Sequence, residues 1–171
     1  MDIIDISLPL SPEMPVYPGL KPFSFERAKS FQKGNNVNVT NLEFAVHVGS
    51  HLDTPSHFLP EGSTIEQVDL NRLMGPAQVI ELDAACIEPA HLQAAGVQRQ
   101  RVLIKTSLSR KAKPTTFDKD APYLHPDAAS WLVEHNVQLV GIDGWTPDRY
   151  GDHSHACHHI LLGAGVLILE C

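Results

Sequence analysis

The 171-residue sequence has few cysteines, no excess of positive charge and no long apolar run at its start. The three cysteines are widely spaced and none forms a Cys-x-x-Cys pair, which argues against a disulfide framework and predicts free thiols in a reducing compartment. The formal net charge of −7 disfavours nucleic acids and anionic membranes as partners. The first residues, MDIIDIS, are acidic rather than basic, so we expect neither a signal peptide nor a transmembrane helix there, and we expect a cytoplasmic location.

The length and composition are those of one globular domain. Hydrophobic residues make up 43% of the chain and charged residues 19%, which is ordinary globular usage. A chain of this size buries roughly 70% of its unfolded surface, enough for a substantial core. Because no repeat, low-complexity tract or linker divides the sequence, we expect a single domain over residues 1–171.

Strand-like segments alternate with short helical ones, which predicts a mixed α/β fold. We expect strands over residues 3–10, 36–48, 78–82, 102–106, 137–142 and 166–169. We expect helices over residues 88–95 and 126–136, and a capping box over 63–66 that opens a short helix. The polar residues 111–120 predict a mobile loop.

The most informative stretch is HVGSHLDTPSHF, residues 47–58, where three histidines and an aspartate lie within eleven positions: His47, His51, Asp53 and His57. All four numbers are odd, so on one extended strand their side chains would share a face. Gly49 lies on that face, and its missing side chain would leave room for an ion. The opposite face would be a core surface made by Val46, Val48 and Leu52.

Three imidazoles and a carboxylate are donors that suit zinc, manganese or ferrous iron, although the same residues could be ordinary solvated polar groups. The helical zinc-protease motif needs Glu directly after its first His, but Val48 stands there. Residues 152–159 contain four further histidines, a pattern that also fits a solvated loop with adventitious metal affinity. Because His158 and His159 are neighbours, we expect at most one of them to face a given ion.

Four more residues are candidates for the same site. Glu170 ends an apolar run and is either an exposed strand end or a buried carboxylate, which would need a cation or hydrogen bonds. Asp143 and Asp148, in GIDGWTPD, are further carboxylates that could support the site. Trp145, between them, fits a pocket wall and a cover over the core equally well.

The stretch HVGSHLDTPSHF resembles the His-x-Gly-(Thr/Ser)-His-x-Asp-x-Pro-x-His motif of the bacterial kynurenine formamidase and cyclase family of metal-dependent hydrolases. Other family segments are similar, in the same order, to DISLPLSPEMPVYPG, RLMGPAQVIEL, RVLIKTS, LVGIDG and HHILLGAGVLILE. The resemblance implies a swivelling β/β/α fold with a β-barrel-like core and flanking helices. Periodicity alone does not predict that barrel.

The resemblance also implies the site. It assigns five metal ligands, namely His47, His51, Asp53, His158 and Glu170. It assigns proton transfer to His57, whose ordinary pKa suits that role near neutral pH. In the family the Asp and Glu commonly bridge two ions, so we expect one or two divalent ions, zinc foremost and manganese as the other choice. Family members are typically homodimers, and they usually continue beyond the position of Cys171, so we expect a missing C-terminal segment.

The implied reaction is hydrolysis of an amide in a small molecule by water that the metal activates. An N-formyl aryl amine, as in tryptophan catabolism, is the first expected substrate, and a cyclic amide or lactone is the second. Tyr17, Phe58 and Trp145 are the residues that we expect to hold a flat substrate. Kynurenine formamidases often have Trp where this chain has Tyr17, which leaves the substrate open.

Two other interpretations remain. His51 and Asp53 with a distal His also fit the two-His-one-carboxylate triad of iron oxygenases, but His47 is then unexplained and no Arg follows His158 to hold an acidic cosubstrate. The chain could instead bind metal without being a catalyst, since an expected C-terminal segment is missing. Oxygen consumption tests the first interpretation, and a panel of amides, lactams and lactones tests the second.

Overall fold

The computed structural model describes residues 3–110 and 116–171 of the chain, and it divides into two compact units. The first unit comprises residues 1–51 with 113–117, and the second comprises residues 52–112 with 118–171. The single domain expected over residues 1–171 stays a prediction.

The first unit contains an antiparallel hairpin. Strand β1 (Ser24–Lys29) pairs with β2 (Val39–Glu43), and the register shifts by one residue near the end of β1. Phe25 lies opposite Leu42, so the two side chains share one face of the hairpin. Both are more than half exposed, which leaves an apolar patch on the surface of this unit.

The second unit is built on a five-stranded sheet. Its strands are β3 (His51–Asp53), β4 (Gln78–Glu81), β6 (Arg101–Lys105), β8 (Leu139–Ile142) and β9 (Leu167–Glu170), in the spatial order β3-β9-β8-β6-β4. Strands β4, β6, β8 and β9 are mutually parallel. A separate parallel pair joins β5 (Cys86–Ile87) to β7 (Tyr123–Leu124). All four residues of β8 are buried, as expected for a strand covered on both faces.

Three helices belong to the same unit: α1 (Pro89–Ala94), α2 (Pro126–Glu134) and α3 (Ala156–Gly163). Proline stands in the first turn of α1 and α2, where a missing backbone N–H costs nothing. Helix α2 buries Ala128, Ala129 and Leu132 completely against the core. No helix within residues 3–110 and 116–171 has the length and apolar character needed to cross a bilayer.

The carboxyl ends of the parallel strands lie along one edge of the sheet. Ile104 pairs with Ile142, and Ile142 pairs with Glu170, so the ends of β6, β8 and β9 are level. Asp143 follows β8 and accepts hydrogen bonds from the Thr106 N–H at 2.8 Å and the Thr106 hydroxyl at 2.7 Å. This is the edge at which parallel α/β sheets usually bind ligands.

The predicted mixed α/β class is confirmed, as are the strands expected at 78–82, 102–106, 137–142 and 166–169 and both long helices, apart from one to two residues at their ends. The strand expected over 3–10 is wrong: the segment is irregular, and Ile3, Ile4 and Ile6 are largely exposed. The capping box is centred on Thr64, with Gln67 as its partner, and opens a single 3-10 turn. Part of the loop expected over 111–120 lies outside the described residues.

Candidate metal centre

Three buried side chains converge in the second unit. Asp53 is the last residue of β3, His158 lies in the first turn of α3, and Glu170 is the last residue of β9. The Nε2 atom of His158 is 3.5 Å from Asp53 Oδ2 and 3.4 Å from Glu170 Oε1. These separations are longer than the usual hydrogen-bond distance of about 2.9 Å. They are close to the roughly 3.3 Å that separates two ligands of a tetrahedral zinc ion with bonds of about 2.0–2.1 Å.

His57 lies beside this group and also reaches solvent. Its Nε2 atom is 4.0 Å from Asp53 Oδ2, and about a third of its side chain is exposed. Donor atoms of Asp53, His57 and His158 all lie within 4.8 Å of one another. His57 ends the 3-10 turn Pro55–His57, whose backbone is held by the bond from the His57 N–H to the Thr54 carbonyl at 2.9 Å.

Asp148 holds the other side of the His158 ring. Its Oδ2 atom is 2.5 Å from His158 Nδ1, and its Oδ1 atom accepts the Cys157 N–H at 2.7 Å. Burial by itself lowers the pKa of His158, but the interactions with Asp148, Asp53 and Glu170 outweigh it and raise the pKa to about 11. Burial opposes ionisation of Asp148, yet the bonds from His158 and Cys157 hold the pKa of its carboxyl below the ordinary value.

The ring of Phe58 packs against two of the imidazoles. It is tilted by 30° to the His158 ring, with centroids 4.3 Å apart, and lies edge-on to the His57 ring at 4.4 Å. The same ring packs against the hydrophobic core of the unit. Phe58 therefore restricts the orientation of both histidines, in addition to any contact with substrate.

Two further histidines of the motif, His47 and His51, fall within the first unit, which ends at the first residue of β3. His47 Nδ1 is 3.0 Å from His51 Nε2, and His51 Nδ1 is 2.9 Å from the Gly49 carbonyl. A carbonyl can only accept, so the contact with Gly49 places a proton on His51 Nδ1. The expectation that Gly49 leaves room for an ion is wrong: a Cβ there would lie 2.7 Å from Leu10 Cδ2, so Leu10 fills that space. Gly49 is required because its φ is +71°.

The prediction that a single strand carries the motif is also wrong. Strand β2 ends at Glu43, residues 46–50 bend, and only His51 and Asp53 lie on β3. Only part of the expected core face is buried: Val48 is buried, whereas Val46 is 75% exposed. The positive φ of Gly49 explains the break, since it turns the chain between His47 and His51.

His158 and His159 lie in helix α3 rather than in extended chain, whereas His153 and His155 precede that helix. Successive residues of α3 are about 100° apart, so His158 is buried while His159 is exposed. Tyr17 and Trp145 are the other two expected substrate contacts. Tyr17 packs edge-on to Phe117 in the first unit, with centroids 5.2 Å apart, and Trp145 is half-buried in the loop after β8.

One residue near the site was absent from the expected ligand set. Asp148 was expected only as a supporting carboxylate, and its direct bond to His158 depends on α3 beginning at Ala156. The sequence carries no stronger signal than a carboxylate ten residues before His158. His155 also approaches this pair, with a φ of +46° at the start of the helix.

The chain is similar to known proteins in both sequence and structure. The model of the family described as Putative cyclase matches residues 4–149. Kynurenine formamidase from Bacillus cereus is 36% identical over 173 aligned positions, covering 98% of this chain and 80% of that protein. A predicted metal-dependent hydrolase from Bacillus stearothermophilus is 28% identical with a TM-score of 0.81, covering 98% of this chain and 80% of that one. Isatin hydrolase A from Labrenzia aggregata shares the fold, with a TM-score of 0.82 at 22% identity over 98% of this chain and 79% of that one.

The chain therefore belongs to the cyclase family that this model describes. It is a metal-dependent hydrolase of the arylformamidase and cyclase type, and it carries a His, Asp and Glu cluster compatible with a metal site.

Proposed function

We propose that this hydrolase cleaves the amide bond of an N-formyl aryl amine at a divalent metal site. The observation that carries the proposal is the spacing of Asp53 and Glu170 about His158 Nε2, at 3.5 and 3.4 Å among buried side chains. Three donors so arranged on separate elements are typical of a metal site with nitrogen and oxygen ligands. The kynurenine formamidase relatives support an N-formyl aryl amine as the substrate.

We propose five ligands: His47, His51, Asp53, His158 and Glu170. His51 and Asp53 are two positions apart on β3, so their side chains share one face of that strand. The number of proposed donors supports one or two bound ions. Mixed imidazole and carboxylate donors favour zinc, with manganese as the second choice.

A cation held there would supply Lewis acidity, which acidifies water and polarises a carbonyl group. His57 would take the proton from the attacking water at Nε2 as the water oxygen bonds to the formyl carbon. It would then donate that proton to the leaving nitrogen as the C–N bond breaks, which yields formate and the aryl amine. Its partial exposure beside Asp53 gives it access to both water and substrate. Phe58 would keep its ring in place, and Tyr17, Phe58 and Trp145 would contact a flat substrate.

The direct test begins with protein purified without chelator. Its zinc and manganese contents are measured, and turnover is followed on an N-formyl aryl amine, an aryl lactam and an aryl lactone. We expect bound metal, fastest turnover of the formyl amide, and loss of turnover on chelation that the lost metal restores. Preference for the lactam or lactone would assign a ring-opening reaction instead. Bound metal with no turnover of any of the three would contradict the proposal and identify a protein that binds metal without catalysis.

Two properties of the molecule accompany this proposal. Cys86 and Cys157 carry free thiols, which supports action in the reducing cytoplasm.

The exposed apolar pair Phe25 and Leu42 on the first unit supports a homodimer. Light scattering during size-exclusion chromatography, with Leu42→Glu as the variant, tests the dimer, because a charge in that patch should shift the protein to a monomer.

A further inference from the structure

Asp148 makes contacts of two kinds, and both involve the start of helix α3. Its Oδ1 atom accepts the Cys157 N–H at 2.7 Å, and its Oδ2 atom accepts the His158 N–H at 3.3 Å. These amides belong to the first turn, where no helical carbonyl is available to them. Asp148 thus caps α3 from a loop outside the helix and, in doing so, fixes where the helix begins.

The third bond joins Asp148 Oδ2 to His158 Nδ1 at 2.5 Å. An ionised carboxylate accepts hydrogen bonds and cannot donate them, so the proton of this bond belongs to Nδ1. The other nitrogen, Nε2, points at Asp53 and Glu170. A neutral imidazole with its proton on Nδ1 has its lone pair on Nε2, which is the nitrogen that faces the proposed ligands.

We infer that Asp148 is a positioning residue, which holds His158 in the Nδ1-protonated form so that Nε2 is the metal ligand. This inference rests on the proposed metal site and adds a residue that acts on it through His158. One face of the ring is also restricted by Phe58, whose ring centroid lies 4.3 Å away at an interplanar angle of 30°. Carboxylates placed behind a ligating histidine typically change metal affinity by roughly 10- to 100-fold.

The variant that separates the two contacts of Asp148 is Asp148→Asn. Its amide oxygen can still accept the Cys157 N–H, so the shorter of the two capping bonds remains, whereas the longer one from the His158 N–H is lost. Its NH₂ group would face His158 Nδ1 and cannot accept a proton, so the ring is driven to the form protonated on Nε2, which does not bind metal through that atom. Asp152→Asn is the matched control, because Asp152 lies in the same loop and accepts the Ser154 N–H at 2.9 Å instead.

Zinc affinity is measured by competition with a chromophoric chelator, which reports binding without turnover. We expect Asp148→Asn to bind zinc roughly 10- to 100-fold more weakly and Asp152→Asn to bind like the parent protein. In the zinc-loaded parent, nitrogen NMR of labelled histidine should show His158 protonated on Nδ1. Parent-like affinity in Asp148→Asn, or a proton on Nε2 in the zinc-loaded parent, would overturn the inference. The NMR result decides the matter even if the variant does not fold, and a parent protein that holds no metal would overturn the proposed function itself.

Discussion

Gly62 controls the position of the turn that carries His57. A Cβ at position 62 would lie 2.4 Å from the Pro55 carbonyl carbon and 2.6 Å from both the Pro55 oxygen and the Ser56 nitrogen. A hydrogen bond holds the turn against the segment that follows Gly62, because the Ser56 N–H donates to the Ser63 carbonyl at 3.1 Å. Ordinary Cβ contacts begin at 3.4 Å, so Gly62→Ala must move Pro55, and with it His57, by about 1 Å.

That displacement should affect catalysis more than folding. A misplacement of about 1 Å in a group that acts on substrate can lower the rate by roughly 100-fold. Overpacking of this kind costs about 1–3 kcal/mol of stability, so the variant should still fold. The metal content should be unchanged, because none of the proposed ligands lies in the turn Pro55–His57.

The assay measures kcat/KM on the N-formyl aryl amine, metal content and thermal unfolding for Gly62→Ala beside Gly163→Ala. Gly163 is the last residue of α3, and a Cβ there meets no atom within 4 Å, so its replacement should leave activity unchanged and raise stability by up to about 1 kcal/mol. If Gly62→Ala turns over at the parent rate while its structure is intact, the position of His57 is not what limits the reaction, and the reasoning fails.

Four other outcomes are expected. His57→Ala should abolish turnover and keep its metal, whereas His159→Ala, which replaces an exposed histidine of α3, should retain both turnover and metal; a fully active His57→Ala would refute the role in proton transfer. Glu170→Gln should weaken zinc binding by at least roughly tenfold in a chelator competition, and unchanged affinity would remove it from the ligand set. Zinc at 100 times its Kd should raise the free energy of unfolding by about 2.7 kcal/mol over the chelated protein, and no rise would argue against a preformed site. In the chelated protein, the folded pKa of His158, about 11, exceeds the ordinary 6.5, so its stabilisation is complete below pH 6.5 and is lost as the pH rises toward 11. Urea titrations between those pH values should show that decline, and a constant free energy of unfolding would contradict it.

The parts of the fold that the sequence predicts are those whose local pattern agrees with their packing. The apolar run around β8 and the Pro-initiated helix α2 are strong local signals, and both elements occur where expected. Residues 3–10 carry an equally strong β-branched pattern, yet their Ile3 and Ile4 side chains are exposed and the segment has no regular structure. Strand formation needs a neighbouring strand, which a local pattern cannot supply.

The geometry of the candidate site differs from the one that residue parity along a single strand predicts. Because both numbers are odd, the sequence predicted that His47 and His51 share one face of a strand. The chain turns at Gly49 instead, and the two rings are in contact, with His47 Nδ1 3.0 Å from His51 Nε2. The parity argument holds only for His51 and Asp53, which lie on β3. Asp148 joins the site through the start of α3, and such a tertiary contact has no periodic signature in the sequence.

Charge explains why this arrangement fits a divalent cation better than a proton. Three buried carboxylates, Asp53, Asp148 and Glu170, lie within 3.5 Å of one imidazole. A proton on His158 offsets only one of the negative charges that such a group carries when ionised, and uncompensated buried charge is costly. A divalent ion offsets two of them and also leaves the proton on Nδ1, where Asp148 already accepts it. In the proposed site, the carboxylate that caps α3 would also keep Nε2 available to the ion, so folding of the helix and assembly of the proposed ligand set would depend on one side chain.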